Sequence, residues 1–270
     1  MSSSGVSKSK DRSIPDLKPR RILLCNDDGI NAPGLKVLEK VARQLADEVW
    51  VVAPETEQSG ASHALTLTLP LRVRQISRRR FAVSGTPTDC VLMALSGIMK
   101  DNPPDLVLSG INRGGNLGED VVYSGTVAAA MEATLIGVPA IALSQSFARR
   151  EKLRWKTAER HAPDLIRKLC AIGWPEDVLI NVNFPDIDAD EVVGVDVCRQ
   201  GKRDLSALDL DERVDARGQT YYWIGFRPVN GRPARATDLA AVENDRIAVT
   251  PLQLDLTENR VLKTLRQQLA

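Results

Sequence analysis

At 270 residues with 43% hydrophobic content, the chain is long enough for one large domain or a domain with an appendage. Lys and Arg number 36 against 35 Asp and Glu, a net charge of +1, which speaks against nucleic-acid binding driven by overall charge. No apolar run is long enough to span a bilayer, and the N-terminal stretch has no apolar core of a secretory signal, so a cytoplasmic location with no membrane partner is expected.

The opening segment, residues 1–20, is Ser- and Lys-rich with almost nothing to bury and reads as a disordered basic tail. From Arg21 short β-rich runs alternate with helical ones. "ILLCN" is a buried strand, and Pro33 opens a helix with Leu35, Leu38, Val41 and Leu45 on one face. "EVWVVAP" is a second buried strand. "LTLTLPLRVRQI" alternates with period two and, with "FAVSG", predicts a hairpin or extension with one wet face. Thr86, Pro87 and Asp89 form the start signal of a helix through "TPTDCVLMALSGIM". "DLVLSG" is the next buried strand, "SGTVAAAMEATLIG" a small-residue helix, and "PAIALS" another strand. Lys152 to Cys170 is helical and "DVLINVNFP" is a further strand.

Uniformly apolar strands separated by helices predict a Rossmann-like, mostly parallel α/β sheet covered on both faces, over residues 21–197. After Pro185 the texture changes. Residues 199–217 are rich in charge, "TYYWIGF" is an aromatic strand, "VNGRP" a turn and "RIAVTPLQLDLT" a return strand. Residues 198–256 therefore read as an extended β arm with a return strand, suited to packing on another subunit, and 257–270 as a C-terminal amphipathic helix. Tyr221, Tyr222, Trp223 and Phe226 suit strand packing better than base stacking. Cys25, Cys90, Cys170 and Cys198 lie far apart with no C-x-x-C, as expected of reduced thiols.

Ligands of parallel α/β sheets bind outside the carboxyl ends of the strands. Three polar segments, "NDDG", "PETEQSGAS" and "SGINRGGN", follow apolar strands and converge on that rim. There is no P-loop signature, no G-x-G-x-x-G and no G-x-S-x-G, and two histidines, His63 and His161, cannot make a multi-histidine zinc site. The rim instead offers oxygen: Asp27, Asp28, Ser59, Asn112 and Asn116. Such hard donors suit one divalent ion, Mg²⁺ or Mn²⁺. Adjacent acids also occur at plain strand-end turns and helix caps. Convergence of the three loops favours the metal, provided the chain turns at Asp27, which Gly29 permits.

Beside this, Ser124 caps a helix with Gly125 and Thr126 behind it and no acid in its first turn, so that free N–H groups favour an anion there. An ordinary serine cap is the alternative. Arg113 suits phosphate or simple surface exposure, and His63 is either a proton donor or hydrogen-bonding residue lining the pocket or a structural or exposed loop residue. Of these residues Asp27, Asp28 and Asn112 are the catalytic candidates, beside an anion site at Ser124, Gly125 and Thr126. An aspartyl-phosphate route is disfavoured because its D-x-D spacing fails at Gly29. A non-catalytic nucleotide sensor is the rival from another class.

At these residues the sequence resembles the SurE family of survival proteins, metal-dependent 5′/3′-nucleotidases. The resemblance runs through "ILLCNDDGINAPG", "VVAPETEQSGASHALTL", "VSGTPTDCV", "PDLVLSGINRGGNLGEDVVYSGTVAAAMEA" and "GVPAIALS" in order. It implies one divalent ion per subunit on Asp27, Asp28, Ser59 and Asn112, and a phosphate region at Asn116 and Ser124–Thr126. It also implies hydrolysis of nucleoside 5′- and 3′-monophosphates, action of some members on short polyphosphate, and a homodimer or homotetramer formed through C-terminal arms. The basic tail departs from the common pattern without touching the metal residues.

Overall fold

The computed structural model describes residues 21–147, 153–202, 208–226 and 232–269. The expected basic tail, the start of the predicted helix at Lys152 and most of the "VNGRP" turn lie outside them.

Along the first half run β1 (Arg21–Cys25), α1 (Pro33–Ala42), β2 (Glu48–Pro54), β3 (Val73–Ser77), β4 (Arg80–Val83), α2 (Pro87–Met93) and β5 (Leu106–Arg113). Then follow α3 (Asp120–Tyr123), α4 (Gly125–Leu135), β6 (Ala140–Gln145), α5 (Trp155–Ile172), β7 (Val178–Phe184) and β8 (Gly194–Val197). The chain ends with β9 (Leu208–Val214), β10 (Thr220–Phe226), α6 (Asp238–Glu243), β11 (Arg246–Gln253) and α7 (Asn259–Leu269).

Nine strands form one sheet in the order β3-β4-β2-β1-β5-β6-β7-β11-β8. Every pairing from β4 through β7 is parallel; β3 with β4 and β7 with β11 are antiparallel. The return strand β11 thus lies inside the main sheet, whereas β9 and β10 pair antiparallel in a separate two-stranded sheet, as expected of an arm. The chain winds outward from β1 through β2 to β4, then from β5 through β7 in the other direction. The winding reverses between β1 and β5, where the loops beyond the strand ends part to leave a crevice.

The strands are apolar throughout because both faces are covered. Ile22 and Leu24 of β1 point into the core beneath α1 and α5, and Leu23 and Cys25 into the core beneath α2 and α4. All four cysteines are free thiols and buried. Helix α2 starts with the predicted capping box, Thr86 and Asp89 bonding each other's backbone, and continues beyond Met93 as a π-helical turn.

Residues 65–72 depart from the expected alternating strand, and pairing begins only at Val73. The Thr66 backbone N–H and hydroxyl both donate to the Asp89 carboxylate at the start of α2, and Pro70 has no N–H for a ladder. Local bonding to a helix cap has replaced cross-strand bonding. Leu65, Leu67 and Leu69 remain exposed.

Helix α1 meets the end of β5 at a glycine. A Cβ at Gly34 would lie 1.9 Å from the Ile111 carbonyl oxygen and 2.9 Å from the Trp155 ring. Gly34→Ala therefore forces α1 away from the strand end next to Asn112. It is expected to lower unfolding stability by about 1–3 kcal/mol, measured by urea denaturation, and an unchanged midpoint would refute this close packing.

Candidate active site

Beyond β1 the chain bends at Asp27–Asp28. The buried Asn26 braces the bend, donating from Nδ2 to the Gly29 carbonyl at 3.1 Å, and Gly29 takes the φ of +96° that closes it. The turn that two acids need to face one point is present. The second rim loop is joined to it: Gln58 N–H donates to the Asp27 carbonyl at 2.8 Å and Ile30 N–H to the Pro54 carbonyl at 2.8 Å. Ser59 follows Gln58, exposed, with its hydroxyl donating to Glu57 at 2.9 Å.

Ser124 caps α4 as predicted, its Oγ accepting the Val127 N–H at 3.0 Å. The helix has no acid in its own first turn, and Asp27 supplies one from across the crevice. A Cβ on Gly125 would fall 2.8 Å from the Asp27 Cβ and 3.1 Å from its Oδ2, so only glycine lets the carboxylate approach. The Thr126 hydroxyl donates to Asp27 Oδ1, and the Thr126 backbone N–H adds to the stabilisation of that carboxylate. The positive end of the helix dipole thus faces the acid pair.

This compensation is incomplete. Burial pushes Asp27 above the usual carboxylate range despite Thr126. Asp28 is pushed up from 3.8 to about 6, first by burial and then by the neighbouring Asp27 charge, against the opposing hydrogen bond from the Arg113 backbone N–H at 3.2 Å. Glu57 adds a third negative charge that raises both. Sequence reasoning passed over Glu57; its signal was a further acid in the loop that carries Ser59.

The third loop leaves β5 with Asn112, whose Nδ2 donates to the Gly114 carbonyl at 2.9 Å, turning Oδ1 the other way. Asn116 lies deeper. Its Nδ2 donates to Ser144 Oγ at 2.8 Å and its N–H to Asn183 Oδ1 at 2.8 Å, while its carbonyl accepts from both Asn181 and Asn183. The Asn116 side chain holds the loop to β6 and its backbone holds it to β7. The signal for this network was two asparagines at alternate positions in "LINVNF", one face of an otherwise apolar strand. Asn26 Oδ1, Ser109 Oγ and Ser146 Oγ, at or near the strand ends, are buried without a hydrogen-bond partner among the described residues. Each costs about 1–3 kcal/mol if left unmade, so this edge is polar at the expense of stability.

His63 places its Nε2 3.0 Å from Glu132 of α4, and no hydrogen bond joins it to Asp27 or Asp28 among the described residues. Next to it, Ser62 is laced to α3 through the Tyr123 and Val122 carbonyls. Among the described residues no group of three or more His, Cys, Asp and Glu side chains is placed to hold a metal ion. A cation here would be held by the two acids and completed by neutral oxygens, the donor chemistry of Mg²⁺ or Mn²⁺. Uncompensated charge on paired, buried carboxylates fits such an ion.

Without metal, the raised Asp28 pKa has a definite sign. Stability is fully present below about pH 4 and falls as pH rises toward the folded-state value of about 6. In EDTA, Asp28→Asn is therefore expected to be more stable than the parent near neutrality. The gain, reduced by partial solvent exposure, is on the order of 1–2 kcal/mol and vanishes near pH 4. Thermal melts at both pH values check it; a variant less stable near neutrality would contradict this electrostatic account.

Residues 22–207 match the family model described as Survival protein SurE. The chain is 56% identical to the 5′-nucleotidase SurE of Parvibaculum lavamentivorans, over 93% of this chain and 92% of that one. It is also 56% identical to the 5′-nucleotidase SurE of Paramagnetospirillum magneticum, over 93% and 96%. The crystal structure of the SurE protein from Aquifex aeolicus aligns with a TM-score of 0.80 at 40% identity, covering 93% of this chain and all of that one. With that sheet order and with this match along most of its length, the chain belongs to the SurE family.

Proposed function

We propose that the chain is a divalent-metal-dependent nucleotidase that hydrolyses nucleoside 5′- and 3′-monophosphates to nucleoside and phosphate, with short polyphosphate as a further substrate. The observation that carries this reading is the adjacent acid pair in the crevice between β1 and β5, a buried Asp27 set against the N-terminus of α4 beside a half-buried Asp28. The two relatives named 5′-nucleotidase support the nucleotide as substrate.

In this reading Asp27, Asp28, Ser59 and Asn112 hold Mg²⁺ or Mn²⁺. When bound, such an ion supplies charge neutralisation at the phosphoryl oxygens and acidifies water. The remaining work falls to the chain itself. Ser124, Gly125 and Thr126 present the start of α4 to the transferring phosphoryl group, where fixed dipoles stabilise developing charge without reorganising. The Thr126 hydroxyl and the Arg113 N–H each hold one carboxylate in place. Asn116 fixes the third loop through Ser144 and Asn183, keeping Asn112 at the rim.

Phosphate release from AMP with Mn²⁺, Mg²⁺ or EDTA tests the reading. The parent is expected to turn over with metal and not with EDTA, and Asp27→Asn or Asp28→Asn to lose about 100-fold or more in kcat/KM. Nucleotide binding without turnover would establish the sensor instead, and full activity of both variants would remove the metal assignment.

The arm supports a homodimer or homotetramer. Val214, Tyr222, Trp223 and Ile224 of the β9–β10 hairpin are exposed, an apolar surface that burial against a second copy would cover. Deleting residues 208–226 is expected to lower the sedimentation mass; an unchanged mass would exclude the hairpin from assembly. Among the described residues no helix is long and apolar enough to cross a membrane.

A further inference from the structure

The acids and the start of α4 account for the phosphate, and the organic half of the ester needs its own seat. One surface beside the acids has the right chemistry, and its side chains donate no hydrogen bond to them among the described residues. Arg113 gives its backbone N–H to Asp28, while its guanidinium lies over the Phe147 ring, 5.4 Å from the centroid. Phe147 follows β6 by two residues and is 37% exposed; Arg113 is exposed too. Their backbones are tied together at the strand ends, where Arg113 pairs with Gln145 and Gly114 N–H donates to the Gln145 carbonyl at 3.0 Å. Among the described residues the guanidinium makes no hydrogen bond or ion pair. A flat, weakly hydrated cation backed by an aromatic ring stands at the rim of the crevice, its charge felt by Asp28 with no direct hydrogen bond between the side chains.

We propose that Arg113 and Phe147 form the wall that recognises the base of a nucleoside monophosphate, the guanidinium plane stacking on the base with Phe147 behind it. This rests on the nucleotidase reading above and adds where the nucleoside lies. Bases are commonly held by stacking on guanidinium planes and aromatic rings, which tolerate any base because each has a π-face. The wall therefore selects nucleotides over base-free phosphate esters without selecting strongly among bases. The rival surface is Tyr123, 52% exposed and next to Ser124. Its ring has no stacked cation among the described residues, so it lacks the charge that the Arg113 plane would bring to the anionic substrate.

The test compares kcat/KM for AMP with that for ribose 5-phosphate, the same ester without its base, in the full-length protein with Mn²⁺. Phe147→Ala is expected to lower kcat/KM for AMP about tenfold, through KM, and that for ribose 5-phosphate by less than about twofold. Phe147→Trp restores the AMP preference. Arg113→Lys keeps the charge but loses the plane, and should lose the preference as Phe147→Ala does. Parallel losses on both esters would overturn the wall and leave the nucleotidase standing, as would a preference that shifts only in Tyr123→Ala. If the parent hydrolyses neither ester, the nucleotidase reading falls and the wall with it.

Discussion

Two neighbouring carboxylates taken out of water repel each other, and this chain keeps Asp27 and Asp28 together at the end of its first strand. Burial holds both above the usual carboxylate range, the Asp27 charge raises Asp28 further and Glu57 adds to each, so the pair weakens the fold at neutral pH. Much of the surrounding structure answers that charge. The N-terminus of α4 is aimed at Asp27, Gly125 is small enough to let it close, Thr126 donates to one acid and the Arg113 backbone to the other. A protein under pressure for stability alone would replace one acid with a neutral residue.

Sheet topology places that charge. The winding reverses between β1 and β5, so loops from both strands reach one crevice, and hydrogen bonds from Gln58 and Ile30 join the second loop to the first. The same strand ends hold buried polar groups that a purely structural edge would avoid. Asn116, Ser144, Asn181 and Asn183 form a network beneath the third loop, which keeps Asn112 at the rim while its own members face inward. Charge thus gathers at the crevice, with a hydrogen-bonded amide network below it.

The periphery differs in texture. The β9–β10 hairpin stands as a separate sheet with exposed apolar residues, and α7 buries none of its side chains within the chain. Strand β11 returns to the main sheet between β7 and β8, so the arm is anchored at both ends in the core.

Much was legible in residues 21–197 because local rules and burial agreed there. Apolar runs marked strands buried on both faces, and Thr86 with Asp89 and Ser124 marked helix starts that the structure keeps. The acids, Ser59 and Asn112 could be assigned to one rim because each follows an apolar strand of a parallel sheet. What pairwise distance decides was out of reach. No local pattern shows that the anion facing α4 is Asp27, ninety-nine residues away in sequence, or that Thr66 bonds Asp89 and so ends the alternation of residues 65–72 as a strand. Nor does any local pattern show that the Asn116 amide donates to Ser144 of β6 while its backbone bonds Asn183 of β7. Periodicity and caps are properties of neighbours along the chain and survive in the sequence alone; a hydrogen bond between distant residues exists only once the sheet has brought them together.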